Sequence, residues 1–141
     1  MKETILQKNI KIPYSLHDRR IDKIEIIEKN IKLNFECGFT ETSEPYNQVE
    51  GAIIIENVDF DFGNIYLLSN NGSYGNFTGK KMDIRNFLKE YKNYYLEVVD
   101  ELYGYNTVQY SGYLTLPKKV DLIEYSMSFY YTGNLVYYTE K

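Results

Sequence analysis

The chain is predicted to be mainly β, of the α+β type: about eight antiparallel strands forming a sandwich or partial barrel, with one helix near residues 83–92. Three observations predict this. Tyrosine is over-represented, with 16 residues in 141, and tryptophan is absent; tyrosine and isoleucine both favour strands. Many short segments place apolar residues at every second position, the signature of a half-buried strand. Only one stretch has helical spacing, with Ile84, Phe87, Leu88 and Tyr91 at i, i+3, i+4 and i+7. At 141 residues, the chain is read as one domain, 1–141, able to bury a core without disulfides or a structural metal.

Residues 1–13 alternate loosely through Ile5, Ile10 and Ile12 and are expected to form an edge strand or arm, broken at Pro13. Ile21 to Glu28 places Ile24 and Ile26 on one face. Lys29-Asn30 turns the chain, and Ile31, Leu33 and Phe35 alternate on the return strand, with Cys37 continuing its apolar face. Residues 38–48 read as a loop. Val49 to Val58 reads as one strand whose apolar centre implies burial on both faces. Asp59-Phe60-Asp61-Phe62 alternates, Gly63-Asn64 is a turn signal, and Ile65 to Leu68 is another strand. Asn70-Asn71-Gly72 is a hairpin signal, because Asn and Gly tolerate positive φ; residues 73–78 would pair back. Asp83 is positioned to cap the helix.

The last third is predicted to be a meander of four strands. Tyr94, Leu96, Val98 and Leu102 share one face, and Tyr103 to Asn106 turns. Val108, Tyr110, Gly112, Leu114 and Leu116 share the next face, and Pro117-Lys118-Lys119 turns. Ile123, Tyr125, Met127, Phe129 and Tyr131 follow, then a turn at Thr132-Gly133-Asn134 and a closing strand from Leu135 to Thr139.

Charge narrows the function classes. The net charge is -4, which disfavours a general nucleic-acid binder, because phosphate neutralisation needs a basic field. No apolar run is long enough for a membrane span or a signal peptide, so a cytoplasmic location is expected. A single cysteine, Cys37, excludes an internal disulfide and a multi-cysteine zinc site; it is expected to be a small buried hydrophobe. The richness in Ile, Lys, Asn and Tyr suits an AT-rich bacterial genome. No cofactor and no metal are expected.

Chemistry-bearing residues are few. His17-Asp18 holds the only histidine, and an imidazole beside a carboxylate can serve as a general base or metal ligand. Neighbours on an extended chain point to opposite faces, and no second histidine or Gly-x-Ser-x-Gly turn accompanies them. A turn and strand-entrance role is the structural alternative. Asp59 and Asp61 share one strand face without the loop spacing of a calcium site. Lys80, Lys81, Arg85, Lys89 and Lys92 form a basic strip, read as a solvated helix face. Tyr95, Tyr103, Tyr113, Tyr130 and Tyr138 lie off the predicted apolar faces. Rigid, amphipathic tyrosines suit a recognition surface, so these five are the candidate partner-binding residues.

The segment Leu16-His17-Asp18-Arg19-Arg20-Ile21, followed by the Ile24 to Phe35 hairpin, resembles small bacterial families that include immunity proteins of polymorphic toxin systems. The likeness covers about the first quarter of the chain. It implies a non-enzymatic protein that binds and blocks a toxin-like partner; only the His-Asp motif itself transfers. The expected function is therefore a small cytoplasmic, immunity-like binding protein with a tyrosine-rich contact surface. The alternative is an enzyme or metal site centred on His17 and Asp18. A third reading is self-association through an edge strand.

Overall fold

Alternating apolar residues build two facing β layers around one core. The computed structural model describes residues 2, 12–68, 79–118 and 123–140. Among them are twelve strands and one helix: β1 (Tyr14–Ser15), β2 (Arg19–Ile27), β3 (Asn30–Phe35), β4 (Phe39–Glu41), β5 (Gln48–Val49), β6 (Gly51–Ile55), β7 (Val58–Leu68), β8 (Gly79–Met82), α1 (Ile84–Glu90), β9 (Tyr95–Gly104), β10 (Thr107–Thr115), β11 (Ile123–Tyr131) and β12 (Leu135–Thr139). The mainly-β class with one helix is as predicted. Nine of the strands form one large sheet, against the eight or so expected; β1, β4 and β5 are two- or three-residue pieces forming a small sheet in the order β1-β4-β5. The Asn70-Asn71-Gly72 turn, its return segment and most of the N-terminal arm lie outside the described residues.

The large sheet is antiparallel and open, ordered β12-β6-β3-β2-β9-β10-β11-β7-β8. Right-handed strand twist curls so wide a sheet over itself. The join lies at β2, which pairs with β3 from Ile21 to Ile27 and with β9 through Arg19, Arg20 and Ile21. Inward residues from both halves, among them Ile21, Leu33, Ile53, Leu96, Tyr110, Tyr125 and Met127, form a single core. Tyr94 bridges the layers: its hydroxyl accepts the Ile24 N–H at 2.9 Å. Asp83 caps α1 by accepting from Asn86 N at 2.8 Å. Ile84 and Phe87 anchor the helix, with the Phe87 ring 5.3 Å from that of Tyr94. No helix among the described residues is long and apolar enough to cross a membrane.

Four local expectations are overturned. Cys37 is exposed, because the alternation of β3 stops at Phe35 and the chain bends at Gly38, where φ is +65°. The predicted Val49–Val58 strand is interrupted: β5 belongs to the small sheet and β6 to the large one, and Ile53 and Ile55 are buried while Ala52 and Ile54 are half-exposed. Gly63-Asn64 is not a turn. β7 runs straight through it, and Phe60 to Gly63 stand opposite Phe129 alone, since Asp59 pairs with Tyr130 and Asn64 with Ser128. A Cβ on Gly63 would lie 3.1 Å from the Ser128 carbonyl oxygen, so this glycine serves close strand approach in a bulge.

The fourth correction concerns the meander, which has three strands, not four. After β11 the chain crosses to the opposite edge, where β12 pairs with β6 from Leu135↔Ile55 to Thr139↔Gly51. The crossing segment is pinned to the β6–β7 connection. Gly133 N and Asn134 N donate to the carbonyl and side chain of Glu56, Thr132 N donates to Asn57 O, and Glu56 N donates to Asn134 O.

Candidate functional site

A bulge in β9 organises both regions singled out for chemistry. β9 and β10 pair as Val98↔Gly112 and then Asp100↔Ser111, leaving Val99 without a partner. A one-residue insertion reverses the facing of every residue beyond it. Tyr94, Leu96 and Val98 therefore point inward as predicted. Beyond the bulge, Leu102 faces out and is 60% exposed, whereas Glu101 and Tyr103 are turned in and partly buried. Gly112 makes room for this: a Cβ there would overlap the Glu97 carbonyl oxygen.

The Tyr14 to Ile21 segment docks on the carbonyls at this bulge. Asp18 adopts φ +62°, closing a turn in which Arg19 N donates to Leu16 O at 2.9 Å. Asp18 N donates to Val98 O at 2.8 Å. His17 Nδ1 lies 2.9 Å from Val99 O. Leu16 is fully buried, and its N–H donates to Glu101 Oε2 at 2.9 Å. Arg19 Nη2 donates to Thr40 Oγ1 at 2.8 Å, linking the turn to the small sheet. The left-handed residue also lets His17 and Asp18 meet, against the expectation from strand alternation: Nε2 and Oδ2 are 3.4 Å apart. The pair is open to solvent, with side chains 60% and 68% exposed. The Val99 carbonyl, then Asp18, Asp100 and Glu101, raise the imidazole pKa above its usual value. Neither residue lines any of five hollows on the surface of the described residues. No cluster of metal-ligating side chains occurs among the described residues. The geometry is that of a clip fastening the entry turn to β9.

Beneath the clip lies a tyrosine cluster. Tyr103 OH donates to Glu101 Oε1 at 2.7 Å and lies 3.4 Å from Tyr137 OH. The Tyr103 and Tyr110 rings meet edge to face at 6.4 Å. Tyr110 is fully buried, and its hydroxyl makes no hydrogen bond of normal geometry with any described residue. Burial holds the Tyr103, Tyr110 and Tyr125 hydroxyls well above the usual phenol range, so all three stay neutral. Tyr103 is thus an interior residue rather than part of an outer surface, because the bulge has reversed its facing.

The other candidate tyrosines are dispersed. Tyr95 and Tyr113 are exposed at one end of the outer face of β9 and β10, where the Arg20 guanidinium sits 5.6 Å from the centre of the Tyr95 ring. Tyr130 is at the other end of that face, on β11. Tyr138 is exposed on β12, in the other half of the sheet. The structure adds residues that sequence reasoning missed. The β7 bulge turns Phe62 outward, 71% exposed, with its ring 6.2 Å from that of Tyr130. Tyr105, 91% exposed, occupies the β9–β10 turn beside Thr107, and Leu102 lies along the same outer face. Phe62, Thr107, Ser128, Phe129 and Tyr130, with Asp59 at the margin, line a groove of about 610 Å³. The exposure of Tyr105 follows from its place in a turn, but that of Phe62 and Leu102 depends on two bulges that leave no mark in a single sequence.

Basic residues of the predicted strip are largely engaged. Lys80 pairs with Glu90 at 2.8 Å, Lys81 and Arg85 lie over the rings of Tyr66 and Phe60, and Lys92 donates to Leu88 O. Asp59 and Asp61 hold each other locally, Asp61 N donating to Asp59 Oδ1 at 3.0 Å. No protein-family model, curated protein or solved structure matches this chain.

Proposed function

We propose that this domain is a protein-binding module that docks a partner on the outer face of β7, β9, β10 and β11, blocking it by contact as an immunity-type inhibitor would. The supporting observation is the apolar end of that face, where Phe62, Leu102 and Tyr105 are exposed and the half-buried Tyr130 packs beside Phe62. A large exposed aromatic surface is costly to leave in water, and aromatic anchors are the residues that dominate interface energetics. The exposed thiol of Cys37 suits a reducing, cytoplasmic setting.

The test is differential capture. The full chain and a Phe62→Ser/Tyr130→Ser variant are immobilised and exposed to lysate of the source cells. A partner retained by the parent and lost from the variant is the expected result. The variant should keep its fold: Phe62 is exposed and the half-buried Tyr130 points away from the core, so the pair should cost about 1–2 kcal/mol, which circular dichroism checks. Equal retention by both proteins, or no retention by the parent, refutes the reading.

A further inference from the structure

We infer that the groove beside Phe62 and Tyr130 receives an arginine side chain from a basic protein partner; this rests on the docking reading above and specifies the chemistry of the partner. The charge distribution carries it. Strands β7, β9, β10 and β11 contain Asp59, Asp61, Glu97, Asp100, Glu101 and Glu124 and no lysine or arginine, in a chain with 16 basic residues. Of these acids Glu101 is turned inward, Asp59 lines the groove, Asp61 lines the hollows next to it, and Asp100, Glu97 and Glu124 lie farther along the face towards Tyr113. The cations nearest this face are held away from the groove: Arg20 over Tyr95 and Lys81 over Tyr66. Arg85 and Lys29 share a separate hollow with Asp59 and Asp61, yet Arg85 is stacked 4.1 Å from the centre of the Phe60 ring. Among the described residues, no basic side chain forms an ion pair with Asp59 or Asp61.

The groove therefore offers apolar aromatic walls with an unpaired carboxylate at the margin. Arginine matches both halves of that surface. Its stem covers apolar area while its head stays polar, its guanidinium stacks on aromatic faces, and its fork of donors meets a carboxylate. A nucleic acid is excluded by the same negative field. An acidic partner would bring like charges together at the contact.

The test uses the full chain, ¹⁵N-labelled, titrated with three capped hexapeptides: Ser-Arg-Leu-Arg-Leu-Ser, and the same sequence with Gln or Glu in place of Arg. The arginine peptide should shift the amide signals of Phe62, Thr107 and Tyr130. It should bind at least about five-fold more tightly than the Gln peptide, and that preference should shrink between about 50 and 300 mM salt. An Asp59→Asn/Asp61→Asn variant, folded by its spectrum, should lose the preference. Equal shifts from the Arg and Gln peptides at this patch overturn the basic-partner inference while leaving the docking face intact. Shifts confined to other surfaces, or none, also overturn it, and the docking reading is then judged on the capture experiment alone.

Discussion

Gly112→Ala is the sharpest perturbation of this fold, because it acts on the bulge that sets both the clip and the facing of β9. A methyl group at position 112 would overlap the Glu97 carbonyl oxygen and lie 3.0 Å from both Glu97 C and Val99 N. All three atoms are backbone, so no side-chain rotation relieves the clash. Overpacking of this kind costs about 1–3 kcal/mol. Displacing the Val98–Val99 segment also weakens the Asp18 N–H bond to Val98 O, worth about 1 kcal/mol. The expected destabilisation is about 2–4 kcal/mol, or roughly 8–15 °C in Tm for a domain of this size. Thermal unfolding followed by near-UV circular dichroism measures it. Gly104→Ala is the control, since a Cβ there meets only the Thr107 hydroxyl, a movable side-chain atom, at 2.7 Å; it should cost less than about 1 kcal/mol. A Gly112→Ala protein melting within about 3 °C of the parent, with unchanged amide signals for residues 16–19, would refute the role given to the bulge.

Three further outcomes follow from the same contacts. The His17 pKa is raised in the folded state by the Val99 carbonyl and by Asp18, so its contribution is fully present below the unfolded value of about 6.5 and is lost as pH rises through the folded value. A titration of the imidazole by NMR should place its midpoint above 6.5, and His17→Ala should flatten the pH dependence of Tm there; a midpoint at or below 6.5 contradicts the clip. Tyr110→Phe removes a buried hydroxyl that makes no hydrogen bond of normal geometry with any described residue and should leave stability unchanged or raise it by up to about 1 kcal/mol, whereas Tyr103→Phe, which takes the donor from Glu101, should cost about 1–2 kcal/mol; denaturant unfolding that ranks them in the reverse order refutes the assignment. Tyr94→Phe strips the acceptor from the buried Ile24 N–H and should cost about 1–3 kcal/mol, read as a lower urea midpoint with an unchanged m-value.

Local patterning carried most of the fold. The alternation of Ile31, Leu33 and Phe35, the stripe of Ile84 and Phe87, and the inward row Tyr125, Met127 and Phe129 were all legible, because each depends on the periodicity of its own element. What was not legible depended on events outside the element concerned. Leu102 has the right period to be core, but the unpaired Val99 shifts its phase by one. Gly63 looks like a turn in isolation and becomes a close-approach glycine only against Ser128. The closing strand looks like the fourth arm of a meander, since nothing in Leu135 to Thr139 states that its partner is β6. The same limit applies to the candidate site. Tyr113 and Tyr138 were placed outward correctly, whereas Tyr103 and Phe62 exchanged roles because two bulges reset their facing.

The crossing from β11 to β12 has a consequence for biogenesis. During synthesis β3 can cover one side of β6 early, but the other side waits for Leu135–Thr139, which leaves the ribosome after β1 to β11. Until then Ile53, Ile54 and Ile55 flank an open strand edge of high β-propensity, the kind of edge that recruits other chains. The long sequence separation of this pairing also makes it slow to form. A nascent or truncated chain lacking β12 is therefore expected to aggregate through β6, and chaperone demand should fall once β12 is made.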